Sequence, residues 1–274
     1  MGAVRFAYVE EEAMRSIYLI MLCAVLFCGC GEVTDTQPVD VTWEQDKNVT
    51  TQEAAKEKIV LQESPLLVSE RPEAENLAGM LQEQAAGMMV QIEAGGLLGS
   101  GVIYEADDEM LYIATAGHVL SQAKEQVLIT FADGFLVEST EYEVMEREDL
   151  AFIAVSLEKL PETSLKQYHR VNVDKERFDN IRPGDGVIAM GSKSAVAGEA
   201  YEGELLNNWI YVEDFKQHMM LAKVELEQGM SGGGLFDAKG YFLGLLCGES
   251  ADGEVAVLPW SVLHAAFDLF IDNS

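Results

Sequence analysis

Basic residues are scarce. Across 274 residues the chain has 18 Lys and Arg against 47 Asp and Glu, a formal net charge of −29. Phosphate binding needs a positive footprint, so this excess of acid excludes nucleic acid as a partner. It equally excludes docking on anionic lipid through basic patches. Cysteine is scarce as well. Three of the four, Cys23, Cys28 and Cys30, crowd an apolar N-terminal segment, and Cys247 stands alone far downstream. With no pair in the body of the chain there is no disulfide framework. Cys28-Gly-Cys30 lacks CxxC spacing and has no histidine near it, so no metal is expected. Bilayer-spanning apolar runs are missing too. Ile17–Phe27 is continuous and apolar, but shorter than the roughly 20 residues that cross a bilayer. No internal repeat is visible. What remains is a globular composition, 49% hydrophobic and 24% charged, long enough for one large or two small folding units.

Ile17–Phe27 has the length of a signal-peptide core, and Arg15 precedes it. Glu10, Glu11 and Glu12 stand just ahead, which is unusual for such a segment, so translation is expected to start at Met14. The run leads into Gly29-Cys30, which resembles the cleavage box of bacterial lipoproteins, where a small residue precedes a cysteine that becomes diacylated. Phe27 stands where that box usually has Leu. Residues 1–30 therefore read as a signal or lipoprotein segment with Cys30 lipidated. The protein is then secreted and held as a cell-surface lipoprotein on the outer face of a bacterial cytoplasmic membrane, touching membrane only through that anchor. An ordinary secretory signal cleaved nearby is the alternative. Residues 31–80 carry a clear excess of acid and, Trp43 apart, no aromatics. Such a segment cannot bury enough apolar surface to order itself and reads as a flexible acidic tether. Short helices fit residues 51–62 and 73–87.

From about residue 87 the texture becomes short β segments punctuated by Gly and Asp. Residues 88–94, 100–106, 109–116, 126–132, 135–146 and 150–157 read as six strands, with Asp133-Gly134 as a hairpin signal. A second set covers 186–192, 200–207, 209–215, 218–226, 234–248 and 254–259, with a hairpin tip at Ala238-Lys239-Gly240. The chain ends in WSVLHAAFDLF, whose Val262, Leu263, Ala266, Phe267 and Phe270 fall at helical spacing. Regular short strands mean a sandwich or barrels. The break between the sets lies near 158–182.

Chemistry concentrates at three places. Ala114-Thr115-Ala116-Gly117-His118-Val119 ends an apolar strand in small residues and presents one histidine. Glu148-Asp149 puts an acid at the mouth of the apolar strand LAFIAVSL, where burial is costly without a partner. Gln228-Gly229-Met230-Ser231-Gly232-Gly233-Gly234 sets a serine among glycines, in backbone that turns tightly and leaves room around the hydroxyl. Taken singly these read as a surface or capping histidine, a turn acid and a flexible loop. Together they make a set. A serine hydroxyl needs a base, neutral His is that base near neutral pH, and a carboxylate holds its tautomer. The order His, Asp, Ser along the chain is that of the chymotrypsin arrangement.

TAGHV, DLAFIAV and GMSGGGLFDAKGYFLGL resemble the His, Asp and Ser motifs of trypsin-like serine proteases. The likeness is closer to the HtrA/DegP-like bacterial branch: GSGVIYEADDEMLYIATAGHV is similar to its approach to the histidine, and RPGDGVIAMGS to the segment opening its second barrel. It covers about residues 85–270. The resemblance implies an all-β fold of two six-stranded antiparallel β-barrels, chymotrypsin-like, over 81–165 and 166–274, the second carrying a C-terminal α-helix. It implies an endopeptidase acting on extended or unfolded polypeptides with no cofactor. His118 is then the general base, Asp149 its orienting carboxylate and Ser231 the nucleophile, with the N–H groups of Gly229 and Ser231 as the oxyanion hole. The strand at 242–248, with Leu245, Leu246 and Cys247, is expected to pair with substrate. Glu225, six residues before Ser231, falls where the family carries a pocket-floor residue, and an acid there favours Lys or Arg; Glu227 is equally near. Two positions depart from the family: Met230 replaces Asn or Asp, and Gly234 replaces Pro. No PDZ domain is expected after the helix. GMSGG also fits the nucleophile elbow of α/β-hydrolase esterases. That fold needs a helix directly after the serine and a downstream histidine, and only His264 lies downstream. A catalytically silent pseudoprotease, a surface-tethered peptide-binding module, is the non-enzyme alternative.

Overall fold

A computed structural model describes residues 61–63, 77–194, 197–249 and 253–273. The signal segment, Met14, Cys30 and the helix expected over 51–62 lie outside the described residues, apart from Leu61 and Gln62. Two short elements come first, strand β1 (Gln62–Glu63) and helix α1 (Leu77–Ala85). Seven strands come after them: β2 (Met89–Ala94), β3 (Leu97–Ala106), β4 (Met110–Ala116), β5 (Val127–Phe131), β6 (Leu136–Ser139), β7 (Tyr142–Met145) and β8 (Leu150–Ser156). A connector carries α2 (Glu162–Leu165), β9 (His169–Arg170) and α3 (Lys175–Asn180). Six strands come next: β10 (Gly186–Ser194), β11 (Ala197–Val212), β12 (Gln217–Lys223), β13 (Gly234–Asp237), β14 (Phe242–Glu249) and β15 (Val255–Pro259). Helix α4 (Trp260–Asn273) then starts with no linker.

The second set closes into a six-stranded antiparallel barrel in the order β10-β11-β12-β15-β14-β13, as expected. The first set differs. It is a seven-stranded antiparallel sheet, β6-β5-β2-β3-β4-β8-β7, rather than a closed six-stranded barrel. The segment 135–146 reads as one strand but breaks at Thr140-Glu141, sending β6 and β7 to opposite edges. The edges are still drawn together. Ser139 Oγ donates to Ala154 O at 2.6 Å, and Ala154 N donates to Glu141 O at 2.8 Å. The roll is thus fastened by a few bonds, not by a ladder. In the opposite sense, 200–207 and 209–215 merge into the 16-residue β11, whose register shifts at Leu205/Asn207 and Asn207/Ile210.

The tether expected over 31–80 is docked at two places. Leu61 is buried, β1 pairs in parallel with β9, and Arg170 meets Glu63 at 2.9 Å. In α1, Leu81 is fully buried and Ala78 N donates to Glu202 Oε1 of β11 at 3.0 Å. Residues 61–63 and 77–80 therefore belong to the folded body.

Helix α4 buries Leu263, Ala266, Phe267 and Phe270. Its rings meet the first sheet: Phe267 and Phe270 each lie 5.3 Å from Phe152 of β8, and Phe267 lies 5.1 Å from Tyr104 and 5.4 Å from Tyr112. The last helix of the chain thus completes the core of its first half. Phe152→Ala leaves a hole against both helix rings and is expected to lower unfolding free energy by about 3–5 kcal/mol in urea titration. Leu136→Ala, at an exposed position, is expected to stay within about 0.5 kcal/mol.

Candidate functional site

The site is assembled from strand ends. After β4 the chain makes one tight 3-10 turn, Gly117–Leu120. A Cβ on Gly117 would press to 3.0 Å from Leu150 N and 3.1 Å from Asp149 C, so glycine lets this turn lie against the start of β8. Gly117 N donates to Asp149 O at 2.9 Å. Asp149 sits at φ +51, in the left-handed region that Asp tolerates better than most residues. That conformation aims its carboxylate at His118. Oδ1 accepts from the His118 backbone N–H at 2.8 Å, and Oδ2 lies 3.0 Å from Nδ1. An ionised carboxylate only accepts, so Nδ1 carries the proton and Nε2 of the neutral ring is left as an acceptor. The His118 side chain is 47% exposed and that of Asp149 21%, so the ring faces outward and its partner is half covered. From the second barrel, the Gln217 amide donates to Glu148 O at 2.9 Å and steadies the same turn.

The glycine run docks beside this pair. Gly229 and Gly232 have φ of +97 and +84. A Cβ on Gly232 would fall 2.2 Å from both Ser100 O and Thr115 Oγ1, and 2.9 Å from Ala116 N. Only glycine fits, and it brings Ser231 next to the chain two residues before His118. The loop's other backbone groups are tied: Ser231 O accepts from Ser100 N (2.8 Å), Gly232 N donates to Leu246 O (2.7 Å), Gly233 N to Met230 O (2.8 Å) and Met230 N to Glu227 O (3.1 Å). Among the described residues the N–H groups of Gly229 and Ser231 have no acceptor, and the Ser231 hydroxyl has no hydrogen-bond partner. Two donors and a hydroxyl are thus left free at one bend.

Both departures in this loop have a packing reason. Met230 is fully buried, and a Cβ on Gly191 would sit 2.8–2.9 Å from its atoms, so Gly191 makes its room. A Cβ on Gly234 would lie 2.6 Å from the Phe236 ring, which occupies the space a larger residue would need.

The expected substrate-binding residues separate. Leu245 and Leu246 are fully buried and paired on both sides, to β13 or its approach and to β15. They offer no free edge to a peptide. Beyond Leu246, β14 has no ladder partner on its β13 side among the described residues, which leaves Cys247–Glu249 as the open stretch. The Cys247 side chain is itself buried. Burial pushes its thiol far up, and the charge of Asp149 adds to the effect, so it is a neutral group beside the carboxylate. Glu225 is exposed. Glu227 is engaged: it accepts from the Tyr201 hydroxyl, whose pKa is pushed up to about 12 chiefly by that bond. His264 lies on α4, 3.1 Å from the Tyr104 hydroxyl and stacked on Trp260. Downstream of Ser231 the chain forms the β13–β14 hairpin, not a helix, which removes the α/β-hydrolase reading.

Ser100 and Thr115 were not singled out by sequence. Both are fully buried polar residues, and Thr115 Oγ1 donates to Ser100 O at 2.7 Å. Their signal is a small hydroxyl residue inside an apolar strand, for Ser100 between two glycines.

A family model of the trypsin-like peptidase domain matches residues 99–245, more than half of the chain and all three loops that carry His118, Asp149 and Ser231. HhoB of Synechocystis sp., named as a serine protease, is 27% identical over 161 residues, 57% of this chain and 35% of that protein. The chain thus spans about a third of that relative's length. The fold is similar to the crystal structure of the Rv3671c protease in an inactive form, with a TM-score of 0.55 at 18% identity, over 75% of this chain and 96% of that one.

Proposed function

This chain belongs to the trypsin-like peptidases, and we propose that it is a serine endopeptidase acting on extended or unfolded polypeptide. The observation that carries this reading is the doubly held His118: one carboxylate grips its backbone and its Nδ1, which leaves Nε2 free beside the docked Ser231 loop. In the proposed reaction Ser231 Oγ attacks the scissile carbonyl carbon and its proton passes to His118 Nε2. Asp149 stabilises the imidazolium without taking a proton itself. The free N–H groups of Gly229 and Ser231 receive the oxyanion as charge develops, a role in which each donor is worth about 100–1000-fold in rate. His118 then returns the proton to the leaving amine, and water hydrolyses the acyl group on Ser231 by the same path. Substrate backbone would add to β14 along Cys247–Glu249, giving affinity through main-chain bonds as in other strand additions. Glu225, exposed where Glu227 is engaged, would favour Lys or Arg before the cleaved bond.

The placement outside the cytoplasmic membrane rests on Ile17–Phe27 and Gly29-Cys30. A diacylated Cys30 supplies two chains, the number that stable anchoring takes.

The full chain is expected to hydrolyse casein, with turnover lost in Ser231→Ala and His118→Ala and reduced about 10⁴-fold in Asp149→Asn. Fluorophosphonate labelling should track Ser231. Turnover surviving in Ser231→Ala ends the assignment, and a folded chain that neither turns over nor labels is a peptide-binding module instead. Among peptides differing only before the cleaved bond, Arg is expected to exceed Leu, and Glu225→Gln to remove that preference; a Leu preference in the wild type defeats it. In a bacterial host the protein should fractionate with membranes and Cys30→Ala should release it. A wild type found wholly in the soluble fraction would rule out the anchor.

A further inference from the structure

Ser100 is a fully buried hydroxyl residue in β3 of the first sheet, and every polar group it has is engaged. Its backbone N donates to Ser231 O at 2.8 Å, and its backbone O accepts from Thr115 Oγ1 at 2.7 Å. Its Oγ does two further things. It donates to Gly229 O at 2.7 Å and accepts from Ser192 N at 2.7 Å. Both partners belong to the other half of the molecule. Ser192 N is available because the β10–β11 register breaks between Gly191 and Ser194, which takes that N–H out of the ladder.

Gly229 sits at φ +97, where the backbone has the freedom of a residue without Cβ. The peptide unit from Gly229 to Met230 lies between the two N–H groups assigned to the oxyanion. Its N–H is tied to Glu227 O and its carbonyl to Ser100 Oγ. Released, that carbonyl could swing toward the oxyanion position and present a negative dipole where negative charge must develop. A hydroxyl fits this duty because it gives one hydrogen bond and takes another at the same atom. An alanine would fill the space but leave Gly229 O and Ser192 N unpaired in a buried seam.

We propose that Ser100 is a positioning residue for peptide hydrolysis: its hydroxyl joins β10 to the loop before Ser231 and fixes the Gly229 carbonyl away from the oxyanion site. It touches no reacting atom. The proposal rests on the protease reading and deepens it.

The test uses the full chain as wild type, Ser100→Ala, Ser100→Cys and Ser139→Ala. Ser139 is a buried serine of the first sheet, bonded to Ala154 O away from the loop, so its variant reports the general effect of losing a buried hydroxyl. Ser100→Ala is expected to lower kcat about 10- to 100-fold with KM within about twofold, the signature of lost transition-state stabilisation. Hydrogen exchange should quicken in peptides covering 228–234 and 190–192 and stay unchanged in β4 and β8. Ser100→Cys, a poorer donor of similar size, should recover part of kcat, and it carries the test if Ser100→Ala fails to fold. Ser139→Ala should lower thermal stability without either change. Wild-type kcat and exchange in Ser100→Ala, or equal losses in Ser139→Ala, would overturn the proposal. A wild type that turns over no substrate removes the protease reading instead, and exchange at 228–234 still decides the clamp.

Discussion

Close backbone contact across the seam between the sheet and the barrel is the constraint on which everything at the site depends. Peptide groups from two separately wound halves approach most closely where a Cβ atom is missing. Gly232 has room for nothing beyond a hydrogen against Ser100, Thr115 and Ala116 across the seam, and within the first half Gly117 is pressed the same way against Asp149. Once those approaches are made, little is left to adjust. Ser231 is bonded through its carbonyl to β3, His118 to Asp149 through two nitrogens, and Glu148 to Gln217 across the seam. A hydrogen-bonded frame of this kind is pre-set before any ligand arrives, the condition for electrostatic stabilisation without reorganisation.

The loop shows how departures from a family pattern are absorbed by shape. Met230 puts a buried apolar side chain into the loop, and Gly191 opposite makes the space. Gly234 carries no side chain, and the Phe236 ring lies over it. In each case volume moves from one residue to its neighbour and the close packing of the interior is kept. The thiol of Cys247 obeys the same logic: beside a carboxylate, a buried group that stays neutral adds no second charge.

The sequence revealed the site better than the fold around it. His118, Asp149 and Ser231 stood out because each interrupts an apolar or glycine-rich run with one chemically distinct residue, and the structure brings their loops together. The strands were legible as apolar runs but not always as units. Residues 135–146 keep a strand-like texture through the Thr140-Glu141 break, because a bend between two edges needs no glycine. The gap read between strands 200–207 and 209–215 lies inside β11, where register shifts absorb it. Local pattern cannot reveal either outcome, since both are settled by which edge finds a partner. The docking of Leu61–Glu63 and of α1 was hidden for the same reason: an acidic, sparsely apolar stretch reads as solvated, and only the tertiary groove at β9 and β11 changes that. Ser100 and Thr115 were hidden by their ordinariness, since a small hydroxyl in a strand is unremarked until its partners are known.

Phe267 and Phe270 of helix α4 fill the space beside Phe152, Tyr104 and Tyr112, on strands more than a hundred residues earlier in the chain. A chain without α4 would therefore hold an open aromatic cavity in its first half, however well its hydrogen-bonded ladders had formed. The first half cannot mature on its own and wait for the second. The two halves mature together, because the helix that closes the core of the first runs on directly from the final strand of the second.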